Sequence, residues 1–194
     1  MIIAETKRLL LRTWTLDDLS AGMNIWGDKD VIKYLGLERP MTKEEVLDSI
    51  KRGIDHQIKY GYQHWAVVSK ETGELIGACG FSSFKQYREQ EVSIELAFHF
   101  VQKAWGYGYA SEAAEACLDY AHDNLKIDRI VAGVEEGNIR SIRILNKLGF
   151  RYLGLVYFDD TKTFEPMYEF RMTPKKRFKS DGGKIEVKIN REPS

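Results

Sequence analysis

The sequence predicts a mixed α/β (α+β) domain: one mostly antiparallel sheet of about seven strands with helices on both faces. Three observations predict it. Short β-rich segments alternate with amphipathic helical ones along the 194 residues. His64 to Ser69 and Leu75 to Phe84 are separated only by the tight turn Glu71-Thr72-Gly73, the pattern of an antiparallel hairpin. A further strand passes through Gly106 and Gly108 into a helix beginning at about Tyr109.

In chain order, Arg8 to Thr13 reads as a strand. Thr15 caps the helix that follows, with Asp18 in the capping-box position and Leu19, Met23 and Trp26 at helical spacing. Gly36 to Met41 is an irregular link. Thr42 and Glu45 form a second capping box, Val46, Leu47, Ile50 and Ile54 make that helix's apolar face, and Gly61 ends it. After the hairpin and the polar loop Lys85 to Gln90, Glu91 to Phe100 forms a strand leading into the glycine turn. The next helix ends near Asn124, with Ala110, Ala113, Ala114, Cys117 and Ala121 as a small-residue stripe. Arg129 to Val134 is a strand, Asn138 to Leu148 a short helix, and Phe150 to Phe158 with Glu165 to Met172 a final strand pair.

Composition bounds the function. With 43% hydrophobic and 30% charged residues, the chain can bury one substantial core, so one domain over 1–173 is expected, followed by a basic tail over 174–194. The 29 basic and 29 acidic side chains balance and recommend no partner. From Pro174 onward seven Lys or Arg stand against three Asp or Glu. The only cysteines, Cys79 and Cys117, sit in apolar patterns. They read as buried free thiols in a reducing compartment, and neither their number nor spacing suggests a metal site. The N-terminus shows no basic segment followed by an apolar one, and no run approaches transmembrane length. A cytoplasmic protein without membrane association is expected.

The stretch Ile94 to Ala114 organises the chain. Its glycines allow close backbone approach, and the amides of Gly106, Tyr107, Gly108, Tyr109, Ala110 and Ser111 point out of a helix N-terminus with nothing bulky above them. Donor geometry and helix dipole there suit a phosphate or pyrophosphate. The glycine pattern alone also fits a turn without a ligand. The run Trp105-Gly106-Tyr107-Gly108-Tyr109-Ala110 resembles the acetyl-coenzyme A loop of the GNAT acetyltransferases. Trp105 stands where that family's pattern has Arg or Gln, a substitution similar to the RimJ/RimL-like ribosomal-protein N-terminal acetyltransferase branch. Thr6 to Arg12 resembles that branch's opening strand. Asn138-x-x-Ser141-Ile142-Arg143-x-x-x-Lys147-Leu148-Gly149-Phe150 resembles its second coenzyme-binding helix.

The resemblance implies the GNAT acyl-CoA N-acyltransferase fold, in which two central strands splay apart and coenzyme A wedges between them. Acetyl-CoA is then the cosubstrate, with no metal. Phe98, His99 and Phe100 would offer backbone to pantetheine, and Trp105 to Ser111 would hold phosphates. Asn138, Ser141 and Arg143 would line the second helix, although Arg143 reads equally as a surface residue. Glu95 aligns with the branch's strand glutamate and is the candidate base. It shares a strand face with Ser93 and Ala97, where the alternative is a solvated acid. Ser141 is the candidate donor to the leaving sulfur, because Leu145 occupies the position where many family members carry a tyrosine acid. A plain helix-capping serine is the alternative. His99, a lone strand histidine, reads as structural rather than as a base. The helix pair and its link would form the acceptor side, making Trp26, Tyr34 and Leu35 candidate substrate contacts, while Trp26 also fits an ordinary core position.

The expected activity is N-acetylation of a primary amine, plausibly a protein N-terminus, by direct attack in a ternary complex, since no cysteine lies in the motif. The alternatives are a small amine acceptor (an amino acid, polyamine or antibiotic) and a non-catalytic acyl-CoA sensor. The tail reads as a mobile basic segment or an added edge strand, with RNA or ribosome contact the minority reading. A monomer and a homodimer fit equally.

Overall fold

The computed structural model describes residues 1–84, 93–158 and 163–172. Its first strand is one the sequence pattern did not single out: Ile2–Glu5 (β1) pairs antiparallel with Leu9–Arg12 (β2). Four residues without alternation carry little period-two signal, and their strand exists through pairing rather than propensity. The described sheet therefore has eight strands, one more than the count expected from sequence.

Leu19–Trp26 (α1) follows a single 3-10 turn, in which the Asp18 carboxylate accepts from the Thr15 amide at 2.8 Å. Ahead of the link Gly36 to Met41 lies a short helix that the sequence pattern did not single out, Lys29–Ile32 (α2), entered through Asp28. Lys43–Tyr60 (α3) carries the full Thr42/Glu45 capping box and ends at Gly61 in the left-handed region, so both predicted boundaries are met. His64–Ser69 (β3) and Leu75–Phe84 (β4) form the hairpin, and Ser93–Phe100 (β5) pairs antiparallel with β4. Tyr109–Tyr120 (α4) runs on into a π-helical turn, Ala121–Leu125. Arg129–Gly133 (β6), Ile139–Leu148 (α5), Arg151–Phe158 (β7) and Thr163–Arg171 (β8) complete the described chain. The loop expected at Lys85 to Gln90 and the tail over 174–194 lie outside the described residues.

The sheet order is β1-β2-β3-β4-β5-β6-β8-β7. Every strand pair is antiparallel except β5 with β6. One face packs on α4: Cys79 of β4 meets Cys117 at 3.5 Å between sulfurs, and Trp65 of β3 packs edge-on to Phe81 and Tyr120. Both thiols are free and buried. The small-residue stripe of α4 lets this contact close, with Ala113, Ala114, Cys117 and Ala121 fully buried. On the opposite face lies α1, reached by Trp26. The β4–β5 register sets Ser82 beside Glu95, Gly80 beside Ala97 and Ala78 beside His99, so the sheet beneath α1 has a floor of small side chains.

Candidate active site

The site begins where the sheet divides. Strands β5 and β6 share only the pairs Ile94 with Ile130 and Glu95 with Val131. Beyond them no ladder joins the two strands, although β5 continues to Phe100 and β6 to Gly133. At the point of parting, the Gly133 amide donates to Glu95 Oε1 at 3.1 Å. A carboxylate thus takes an amide that a continuing ladder would have given to a carbonyl. The half-buried Glu95 side chain sits at the apex of the fork, and Phe98, His99 and Phe100 present backbone along its open arm.

The same arm leads to the glycine loop. Trp105 Nε1 donates to the Phe100 carbonyl at 2.7 Å, folding the loop back over the strand end. Gly106 and Gly108 have φ of +84° and +79°, values that favour glycine, and no atom lies within 4 Å of where a Gly106 Cβ would stand. No side chain caps α4. Its first amides are open at the positive end of the helix dipole, an arrangement that fits a phosphate.

A brace that the sequence reading missed holds this loop from behind. Arg8 Nε and Nη2 bind the Glu112 carboxylate at 2.6 Å, its Nη1 donates to the Tyr107 carbonyl at 2.9 Å, and its guanidinium lies 4.6 Å from the Tyr109 ring centre. The Thr6 hydroxyl and the Arg8 amide donate to the other Glu112 oxygen, at 2.6 and 3.0 Å. Partial burial opposes charge on Glu112, but the hydrogen bonds from Thr6 and Arg8 outweigh it and hold the carboxyl below the usual range. The signal available in sequence was Thr6 and Arg8 flanking an apolar strand, with Glu112 in the first turn of α4.

The facing arm is the turn from β6 into α5. Asn138 caps α5, its side-chain oxygen accepting from the Ser141 amide at 3.2 Å, and Ser141 is half-buried in the first turn. Arg140 lies over the Trp105 ring at 4.8 Å, so the two arms touch there. Tyr34, from the segment that follows α2, reaches the same turn: a Cβ on Gly137 would stand 3.3 Å from its Cε1. Arg143 is exposed.

Beneath α1 the side chains are aromatic and imidazole. Trp26, 7% exposed, stacks at a tilt on Trp14, and its indole N–H donates to His99 Nδ1 at 3.2 Å. An indole can only donate, so Nδ1 is the acceptor and the neutral imidazole carries its proton on Nε2. His64 faces His99 edge-on, 5.8 Å between ring centres, and its Nε2 is buried without a partner among the described residues. Loss of hydration pushes His64 down to about 4, assisted by His56. The same cause, assisted by His64, pushes His99 down to about 3. Leu35 packs half-buried against the core.

The structure thus brings Glu95, Phe98 to Ser111, Asn138 and Ser141 around one fork and sets Tyr34 against it. Trp26 contributes mainly as a buried wall bonded to His99, and Leu35 as core packing. An open groove of about 850 Å³, lined by Asp17, Asp28, Glu74 and Lys103 among others, runs past the turn at Val101 to Lys103 but includes none of Glu95, Phe98 to Phe100, Trp105 to Ser111, Asn138 or Ser141. Among the described residues no group of three or more His, Cys, Asp or Glu is placed to hold a metal, and no helix is long and apolar enough to cross a membrane.

Comparison with known proteins assigns this architecture. The family described as an acetyltransferase (GNAT) domain matches residues 8–151. The chain is 33% identical over 151 residues to the uncharacterized N-acetyltransferase p20 of Bacillus licheniformis, covering 78% of this chain and 83% of that protein. It is 32% identical over 155 residues to the uncharacterized N-acetyltransferase YoaA of Bacillus subtilis, covering 79% and 85%. A GNAT-family acetyltransferase from Bacillus anthracis superposes with a TM-score of 0.71 at 26% identity, over 89% of this chain and 98% of that one. The chain belongs to the GNAT acetyltransferase family and is an acyl-CoA-dependent N-acetyltransferase. The fold is shared with RimL, the ribosomal L7/L12 alpha-N-protein acetyltransferase solved with coenzyme A, at a TM-score of 0.70 and 17% identity over 89% and 98% of the two chains.

Two outcomes follow from this geometry. Arg8→Gln or Glu112→Gln, by releasing the Tyr107 carbonyl, raises KM for acetyl-CoA by about 5- to 30-fold and leaves kcat at saturating coenzyme within about twofold. Steady-state kinetics with acetyl-CoA varied read both quantities.

The second concerns acid. Folded His64 and His99 titrate at about 4 and about 3, below the ordinary 6.5. The folded state binds fewer protons than the unfolded chain below pH 6.5, so the stability present above that pH is lost as pH falls toward 4 and then 3. Melting temperature measured from pH 7.5 to 4 falls accordingly, and His99→Gln makes that decline shallower.

Proposed function

We propose that the chain acetylates the N-terminal amine of a peptide or protein, by direct attack in a ternary complex, as a RimJ/RimL-like member of its family. The observation that carries the reading is the carboxylate of Glu95 at the apex of the β5–β6 fork, where it accepts from the Gly133 amide at 3.1 Å. The tryptophan in the glycine loop and the shared fold with RimL support the branch. The exposed link from Gly36 to Pro40, which leaves the acceptor end uncovered, supports an extended acceptor. The buried free thiols fit a reducing, cytoplasmic setting.

Acetyl-CoA supplies the acetyl thioester when bound. The open amides from Gly106 to Ser111 would hold its phosphates, and the edge of β5 along Phe98 to Phe100 that β6 no longer covers would bond its pantetheine. Glu95 removes the proton that keeps the acceptor amine unreactive, directly or through one water. The Gly133 amide holds that carboxylate in place. Ser141 donates to the leaving sulfur, its own backbone fixed by Asn138. Placement of two reactants in one cleft accounts for about 7–11 kcal/mol of barrier in favourable cases, and a positioned base adds about 10²- to 10⁴-fold.

Thiol release from acetyl-CoA, measured against N-terminal peptides, amino acids, polyamines and aminoglycosides, tests the reading. Turnover with peptides alone supports it. Turnover confined to a small amine replaces the acceptor, and coenzyme binding without any turnover favours the sensor. Glu95→Gln lowers kcat by about 10²-fold or more at neutral pH, and Ser141→Ala lowers it by about tenfold. An unchanged kcat in Glu95→Gln removes the assigned base.

A further inference from the structure

The family pattern places Arg or Gln at the position of Trp105, so in this chain the strand end brings no polar side chain of that kind to a phosphate in the loop. The structure brings one from the opposite arm. Arg140, the second residue of α5, lays its guanidinium 4.8 Å from the centre of the Trp105 ring. Its setting is shared by no other placed arginine: Arg52 and Arg143 are exposed without an ion pair among the described residues, but neither lies on an indole face. Arg8, Arg12, Arg39 and Arg129 each bind a carboxylate at 2.6 to 2.8 Å. Arg140 is exposed and has no ion pair among the described residues; its contact there is the indole face.

We propose that Arg140 is a ligand of the coenzyme pyrophosphate, positioned by Trp105. The proposal rests on the coenzyme reading of the fork. Attraction to the ring face uses the charge of the guanidinium and leaves its N–H edge for oxygen. That planar fork matches two phosphate oxygens, where a lysine offers only a point charge. Trp105 is pinned by its own bond to the Phe100 carbonyl and adjoins Gly106, so the guanidinium is held beside the open amides of the loop. Arg140 and Trp105 stand on opposite arms, and their contact spans the fork away from the Glu95 apex. Arg140 therefore acts on coenzyme affinity and not on the transfer step. The polar side chain that Trp105 displaces from the loop is replaced from the opposite arm of the fork.

Calorimetric binding of coenzyme A, 3′-dephospho-coenzyme A and pantetheine to the wild type, Arg140→Ala and Arg140→Lys tests this, with kcat/KM for S-acetylpantetheine as a second readout. Arg140→Ala weakens coenzyme A and the dephospho form by the same factor, about ten- to a hundredfold. It leaves pantetheine binding and S-acetylpantetheine turnover unchanged, and Arg140→Lys restores part of the loss. An equal loss for pantetheine or S-acetylpantetheine would make Arg140 a structural residue and overturn the proposal. A loss that disappears with the dephospho form would move the contact to the 3′-phosphate and overturn the pyrophosphate assignment. Unchanged affinity in Arg140→Ala refutes the role outright while the coenzyme reading stands. Failure of the wild type to bind coenzyme A defeats that reading, and this proposal with it.

Discussion

Two parallel strands that pair at two positions and then part impose a constraint on everything around them. Past the fork every second residue has its backbone groups turned toward a strand that is no longer there, and an unpaired buried amide or carbonyl costs about 1–3 kcal/mol. The fold meets that cost in part with a side chain: Glu95 takes the Gly133 amide at 3.1 Å. The same bond fixes a carboxylate at the point where the strands part. The edge of β5 past the fork, no longer covered by β6, is one on which an extended ligand can bond as a strand does. Structural necessity and a chemical group coincide at one residue.

The rest of the molecule keeps the fork open and furnishes its sides. Behind the glycine loop, Thr6, Arg8 and Glu112 tie the first strands to α4 and draw the Tyr107 carbonyl away from the cleft, so that the loop presents amides forward. Beneath α1, the floor of Ala78, Gly80, Ser82 and Ala97 leaves room, and the imidazoles that border it are neutral at physiological pH. His99 does not act as a base in this setting, since Trp26 occupies its acceptor nitrogen and burial disfavours its charge. That leaves Glu95 as the carboxylate of this strand face. Arg140 on Trp105 joins the two arms of the fork, and Tyr34 packs on Gly137 at the turn into α5.

Much of this was legible in the residues. Capping boxes at Thr15 and Thr42, the Glu71-Thr72-Gly73 hairpin turn and the small-residue face of α4 are local signals, and each reappears at or within a few residues of its expected place. The glycine loop and Asn138 were legible because their chemistry depends on backbone geometry that few residues permit. What escaped depends on contacts between distant parts of the chain. Strand β1 is held by pairing with β2, Arg8 meets Glu112 across 104 positions, and Trp26 meets His99 across 73. His99 was read as structural from its isolation in sequence; the structure adds the tautomer, which no periodicity carries. Arg140 was not singled out, because nothing local ties it to Trp105.

The central claim is that the gap between β5 and β6 is the coenzyme cleft. Backbone amide hydrogen exchange of the full chain, with and without saturating coenzyme A, tests it most directly. The account predicts slowed exchange in Ala97 to Phe100 and in Gly106 to Ser111, with the β1–β2 pairing unchanged. Protection that instead falls around Asp17 to Asp28, with the fork exchanging as before, would contradict it.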